Sequence, residues 1–470
     1  MKDLQMSLSI DPNAVAIDYV VSGPRTAASV AAGRSQLIGL VIQEAGQEPR
    51  FVDRDLAALF HGLGDRQRLY PHALFALAVE AVNDLPPPSD FHDFHALTCL
   101  LYGHDPFQWE PPRNIDRTTL IRMALAEKIV PLDGYAQFHN NAAQEHLDSV
   151  YEQIELPVIA PTLAMTLAGV PFNTDSLGQL ADSGGSVVAN ATALLRQVQP
   201  DGRIYADLDP LGAVTGRYSC RDPNLQGLPP AILAAVEASP GHLIMEADVS
   251  QCELRVLAHF SQDPRLLAAY RDGNVDLHVQ TAAAVLSIAA DQVTDEQRGI
   301  GKQVNFAIVY GMAADSLAQK LGIVPGEAQA LLDGYFAAYP GVRAWIAQVH
   351  AAAYEDREVR TLSGRRRQLS DIRSRDPGEV ATAQRQAVNA IIQGSAADLL
   401  KLALIRLHDR LPDSVRMLLP VHDSVLLEVP EGQIEEARRV VVEALETTPT
   451  DFGVPLKVEV KTGRTWAECK

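Results

Sequence analysis

The chain has 470 residues, 47% hydrophobic and 21% charged, which excludes disorder over most of its length and allows two to four domains. No apolar run reaches the roughly 20 residues that span a bilayer. Met1 to Pro12 lacks the basic-then-apolar order of a signal peptide, and Cys99, Cys220, Cys252 and Cys469 lie too far apart for a disulfide framework or zinc site, which suits the cytosol. A formal net charge of −19 speaks against a nucleic-acid partner, because phosphate binding wants a basic surface. Arg357, Arg360, Arg365, Arg366, Arg367, Arg373 and Arg375 soften that objection by clustering in one stretch, whose plain reading is a solvated face.

In chain order, Val15 to Asp18 and Leu37 to Gln43 read as strands, the second followed by a turn at Gly46. Pro86 to Pro88, and again Pro111 and Pro112, make rigid surface connections. A helical segment is expected from about Gln144 into Tyr151 to Pro157, and a loop at Asp182 to Gly185. Leu243 to Ala247 reads as a buried strand. Helices are expected over Glu253 to Phe260, Gln297 to Tyr310, Glu327 to Ala338 and Val380 to Ile405. Met417 to Val421 and Val425 to Val429 flank His422-Asp423 as a hairpin, so the chain reads as α+β.

Three features carry chemistry. Asp248 ends an apolar strand just before a helix; alone, such an aspartate is more often a cap. Asp423 stands at the turn of a hairpin with apolar flanks, where a turn aspartate ordinarily bonds its own backbone. Two aspartates on neighbouring strand ends would hold hard divalent cations, and two such ions stabilise the attacking and leaving oxygens of an in-line phosphoryl displacement. The third feature is Arg298, Lys302, Phe306 and Tyr310, each four residues after the last, forming one stripe of a helix. Cations followed by rings match a triphosphate with its sugar and base, and the lysine could neutralise or protonate a leaving pyrophosphate. The competing reading is an amphipathic edge with snorkelling cations.

These features resemble motifs of the family A DNA polymerases. Asp248-Val-Ser-Gln251-Cys-Glu253-Leu-Arg255 resembles motif A, Arg298 to Gly311 resembles motif B, the O helix of the fingers, and Val421-His422-Asp423 resembles motif C. Thr215-Gly-Arg217-Tyr-Ser219, Asp222-Pro-Asn224-Leu-Gln226, Asp276-Leu-His278 and Arg385 to Asp398 match further stretches in the same order. The resemblance runs from Tyr151 to the last residue.

It implies a right-hand polymerase fold with palm, fingers and a much reduced thumb, preceded by a degenerate RNase H-like 3′–5′ exonuclease domain. The expected divisions are 1–145 exonuclease-like, 146–214 reduced thumb, 215–260 palm, 261–394 fingers and 395–470 palm. By resemblance, Asp248 and Asp423 hold two Mg²⁺ ions, which Mn²⁺ could replace. Arg298 and Lys302 bind the triphosphate, and His278 is similar to a phosphate-contacting histidine. Phe306 packs on the sugar, Tyr310 stacks near the template base, Glu253 is the gate against a ribose 2′-hydroxyl, and Gln251 lines the nucleotide site. Arg217, Asn224, Gln226, Arg385, Asn389, Gln393 and His422 contact primer-template DNA.

The sequence departs from the family in three places. Ser424 follows Asp423 where motif C usually has Glu, as in single-subunit phage RNA polymerases, although Glu253 and Phe306 favour DNA synthesis. Only about forty residues separate Asn173 from Thr215, too few for a full helical thumb when each helix takes ~10–14 residues. The first exonuclease carboxylates would be Asp18-Tyr19-Val20, without the usual Glu. Phe91-His-Asp93-Phe resembles the second site, and Tyr135 to His139 the last, with His in place of Asp. Low processivity and no proofreading are therefore expected, with a processivity or single-strand-binding protein as partner. Two alternatives stand beside the DNA polymerase: a non-catalytic DNA-binding replisome scaffold, and a primase or RNA polymerase.

Overall fold

In a computed structural model of the chain, residues 14–21, 24–44, 47–88, 90–102, 141–271 and 276–470 are described. Gly46, Pro111, Pro112 and the stretch Tyr135 to His139 lie outside them. The chain divides into two units. One comprises 1–248, 401–442 and 460–470, the other 249–400 and 443–459.

The first unit contains two sheets. The N-terminal one has five strands, β1 (Val15–Val21), β2 (Leu37–Glu44), β3 (Arg50–Val52), β4 (Arg68–Tyr70) and β5 (Phe91–Asp93), in the order β3-β2-β1-β4-β5. β1 to β3 pair antiparallel, while β4 lies parallel to β1 and β5 parallel to β4. Val15, Ile17 and Tyr19 alternate along β1 and bury against Phe60, Tyr70 and the apolar helix Ala73–Val82. Tyr19 and Tyr70 both donate to the buried Glu80 on that helix, at 2.6 Å each, and Arg68 completes the set at 3.3 Å. Pro86, in the expected rigid connection, accepts from Arg68 at 2.8 Å.

The short pairs β6 (Val170–Pro171) with β7 (Arg203–Ile204), and β8 (Asp207–Asp209) with β9 (Ser219–Arg221), follow. Between β6 and β7 stand two helices, Thr174–Asp182 and Val188–Leu195, of nine and eight residues. The helical segment expected from about Gln144 is interrupted: residues 141–144 are helical, His146 takes a left-handed φ of 55° that ends the turn, and helix resumes at Asp148. It continues as a π-turn over Tyr151–Glu155 before Pro157. Glu155 accepts from the buried Lys401 at 2.7 and 2.9 Å, and removing either partner would strand a buried charge at a cost of about 3–5 kcal/mol.

The second sheet runs β13-β14-β10-β15, with β10 His242–Val249, β13 Arg416–Val421, β14 Ser424–Pro430 and β15 Val458–Gly463. Its middle strands are almost wholly buried and apolar, as a central strand must be. Glu428 is buried within it and satisfied by Arg203 at 2.9 Å, Arg416 at 3.2 Å and the Ser239 N–H at 2.9 Å. Those donors outweigh the opposing effect of burial and hold its carboxyl down at about 2.

The second unit is mostly helical, with the small hairpin β11 (Glu358–Arg360) and β12 (Arg366–Gln368). Pro377–Arg410 runs 34 residues. By length and composition it is apolar enough to cross a membrane, which the sequence reading did not anticipate, but 83% of its most apolar window is buried within the protein, as in a core helix.

Candidate active site

Asp248 is the exposed position of β10, in a strand whose preceding four residues are buried. In the antiparallel register it lies opposite Ser424, and β13 turns into β14 through His422 and Asp423. The two aspartates therefore sit on adjacent strand ends. His422 occupies the left-handed region, φ 54°, which favours glycine, and such strain tends to persist where function fixes the backbone. Burial pushes the Asp423 carboxyl upward, and Arg217, 3.9 Å away, pulls it back. Partial burial holds His422 below its usual value, helped by Arg217 and Lys470 and opposed by Asp248.

A half-buried carboxylate whose guanidinium partner stands off at 3.9 Å fits a hard divalent cation, as does the all-oxygen donor set. Among the described residues no three His, Cys, Asp or Glu side chains group as a metal cage. Any ion there would complete its shell with substrate and water oxygens, as Mg²⁺ commonly does.

Ser424 is buried and donates to the Val421 carbonyl at 2.9 Å and to Glu246 at 3.3 Å. Glu246, two residues before Asp248, is buried and ion-paired with Lys470. Sequence reading missed it, although a glutamate inside an apolar strand was a usable signal.

Gln226 donates to the Pro420 carbonyl at 2.8 Å, and Asn224 accepts from the Gln226 N–H at 3.0 Å, so both brace the loop beside β13.

The cation–ring stripe lies in the second unit on the helix Asp295–Val309, started by a reciprocal cap between Thr294 and Gln297. The expected end at Tyr310 shifts by one residue, since Tyr310 is the cap. The Lys302 ammonium lies 5.9 Å from the Phe306 ring centre, and Phe306 and Tyr310 are 6.3 Å apart. Arg298 donates to Asp276 at 2.6 Å. The other Asp276 oxygen caps the helix Leu277–Leu286 through the N–H groups of His278 and Val279. Gly301 lets that helix approach closely, because a Cβ there would lie 2.1 Å from the His278 carbonyl oxygen.

His278 is buried, 6.3 Å from Phe306. Burial is the main cause that lowers its basicity to about 4, with Arg298 and Lys302 adding to it and Asp276 opposing. Glu253 is buried on the first turn of Cys252–Ser261. Gln251 precedes that helix with φ 55° and accepts from Tyr270 at 3.1 Å. Arg385, Asn389 and Gln393 follow at helical spacing along one side of Pro377–Arg410.

The arginine cluster is less available than its count suggests. Arg365 is buried on Asp398, Arg360 and Arg366 pair with Glu358, and Arg373 donates to the carbonyls of Tyr354 and Glu355. Guanidinium groups bound to their own chain offer little to a phosphate backbone.

Comparison with known proteins bears on the family and the fold. The family model for DNA polymerase family A matches residues 186–468. A thermostable DNA polymerase I of Thermus filiformis is 43% identical over 286 residues, covering 59% of this chain and 34% of that protein. DNA polymerase I of Geobacillus stearothermophilus is 36% identical over 371 residues, covering 74% and 42%. The chain thus matches less than half the length of these relatives. The solved POL domain of Pol1 from M. smegmatis, in complex with DNA primer-template and dNTP, superposes with a TM-score of 0.83 at 26% identity, covering 97% of this chain and 95% of that one. The fold is that of a family A polymerase domain, and the chain belongs to DNA polymerase family A.

Proposed function

We propose that the chain is a DNA-directed DNA polymerase that adds deoxynucleotides to a primer 3′ end. The observation that carries this reading is the pair Asp248 and Asp423, brought to adjacent strand ends by the β10–β14 register. These two residues would hold the divalent cations, Mg²⁺ by preference, which supply charge stabilisation for the attacking and leaving oxygens. The chain's own residues supply the rest. Arg298 and Lys302 bind and orient the triphosphate, and Lys302 neutralises or protonates the departing pyrophosphate. Phe306 and Tyr310 give flat apolar faces to sugar and base. Glu253, buried at the helix start, excludes a 2′-hydroxyl. Arg217, Arg385, Asn389, Gln393 and His422 contact the primer-template, Gln251 lines the nucleotide site, and Asn224 and Gln226 act by fixing the loop next to motif C.

Two qualities of the enzyme belong to the same reading. Two helices of nine and eight residues in the thumb region offer little surface to grip a duplex, which supports low intrinsic processivity and a processivity or single-strand-binding partner. In the N-terminal sheet Asp18 is closed by Arg25, and Asp93 caps two helices, which supports a structural domain without proofreading. Primer extension with Mg²⁺ and four deoxynucleotides tests the reading. Templated growth that disappears in Asp423→Asn supports it. No growth by the intact chain across metal and salt conditions, with DNA binding retained, would favour a scaffold instead.

A further inference from the structure

His278 does not stand alone. Its Nδ1 lies 3.0 Å from the Asn305 side-chain nitrogen, and the Asn305 side-chain oxygen accepts from the Thr281 hydroxyl at 3.0 Å. The Tyr339 hydroxyl lies 3.4 Å from that of Thr281. Thr281 and Asn305 are fully buried, so neither has water as a substitute partner. In the structure the Asn305 amide is turned with its oxygen toward Thr281 and its nitrogen toward His278, and that orientation sets the direction of the chain. Thr281 gives its one proton to the Asn305 oxygen and can accept from Tyr339. Asn305 then has only N–H to offer His278. A ring nitrogen that accepts an N–H bond carries no proton itself, so in a neutral imidazole the proton must be on Nε2. Among the described residues Nε2 makes no hydrogen bond. Gly301, which admits the His278 backbone, keeps the two helices close enough for the bond.

We infer that Asn305 is a positioning residue that holds His278 as the neutral Nε2–H tautomer, so that His278 offers a phosphate oxygen a hydrogen bond and not an imidazolium charge. The inference rests on the polymerase reading for its ligand, the nucleotide triphosphate, but not for its geometry. The groups that bear on the ring fit it. Arg298 and Lys302 already bring two positive charges, and burial disfavours a third, while Asp276 alone would favour one. A neutral donor keeps the site's affinity steady through the pH range where an ordinary histidine titrates.

Nitrogen-15 spectra of the full chain with labelled histidine, His278 assigned by difference from His278→Gln, test this without any nucleotide. The expected wild-type signature is an unprotonated Nδ1 and a protonated Nε2, unchanged from pH 8 to pH 5.5. Asn305→Asp should reverse the tautomer, because a carboxylate accepts from Nδ1–H, and should bring protonation of the ring into that pH range. Thr281→Val, a milder change that releases the amide to turn over, should give a mixture of tautomers. In the same variants the KM for a deoxynucleotide should rise about fivefold, the worth of one neutral hydrogen bond, with a smaller change in kcat. A wild-type Nδ1–H signature would overturn the inference, as would shifts that stay the same in a folded Asn305→Asp protein. Neither result would touch the polymerase reading, which primer extension decides separately.

Discussion

The N-terminal sheet carries Asp18 within β1 and Asp93 at the end of β5, the β13-β14-β10-β15 sheet carries Asp248 near the end of β10 and Asp423 in the β13–β14 turn, and the two sheets treat these aspartates in opposite ways. In the N-terminal sheet each acidic group is engaged in structure. Arg25, laid over Phe75, closes on Asp18. Asp93 is buried and accepts from the N–H groups of Ala73 at 3.2 Å and His95 at 3.1 Å, starting two helices. Glu80 takes two tyrosine hydroxyls and an arginine. In the other sheet Asp248 is exposed at its strand end, and Asp423 has Arg217 only at 3.9 Å. A carboxylate tied to the fold by an arginine or by backbone N–H groups is a structural part, whereas the proposed cation site uses carboxylates near strand ends, Asp423 with its arginine 3.9 Å off. Residue type alone does not separate the two cases.

The largest expected contrast is in nucleotide addition. Asp423→Asn or Asp248→Asn should lower the extension rate by ~10³-fold or more, while Asp18→Asn should leave it within twofold. Equal losses in single-turnover assays would mean that both sheets take part in the chemistry. Next in size is Lys302→Ala, expected to lower turnover ~10²-fold with little change in primer-template affinity. Loss of DNA affinity to the same degree would reduce its role to positioning.

Much of this was legible in the sequence because the relevant signals are local. The apolar strand ending in Asp248, the two-residue turn at His422-Asp423 and the four-residue stripe on one helix are fixed by chain periodicity, and the structure reproduces them within a residue or two. What the sequence did not reveal is long-range. Nothing local to Arg365 announces Asp398, 33 residues away, so a cluster that read as solvated or DNA-facing is largely engaged with its own chain. Glu246 and Lys470 pair across 224 positions, and the bond between His278 and Asn305 depends on how two helices pack. Partners of that kind are set by tertiary contacts, which a motif does not encode.

Smaller effects sharpen the comparison further. Asp93→Ala should cost about 1–2 kcal/mol of stability through two lost helix caps, visible in denaturant midpoints, while extension by the folded protein stays unchanged. Reduced extension at full stability would give Asp93 a part in nucleotide addition, which the comparison denies it.

The smallest effect is in acid. The Glu428 carboxyl falls from its ordinary value of 4.5 to about 2 in the fold. Its contribution to stability is therefore complete above about 4.5 and is lost as pH falls toward 2. Glu428→Gln should flatten that part of the stability curve measured by unfolding against pH. An unchanged slope would assign the acid sensitivity to other groups.

The most direct measurement follows one labelled primer with a mismatched 3′ end, on template with Mg²⁺, reading growth and shortening together. Growth from the mismatch or from a matched control, with no shortening at long times, is expected when the chemistry belongs to Asp248 and Asp423 and not to the N-terminal sheet. Shortening that vanishes in Asp18→Asn but persists in Asp423→Asn would contradict it.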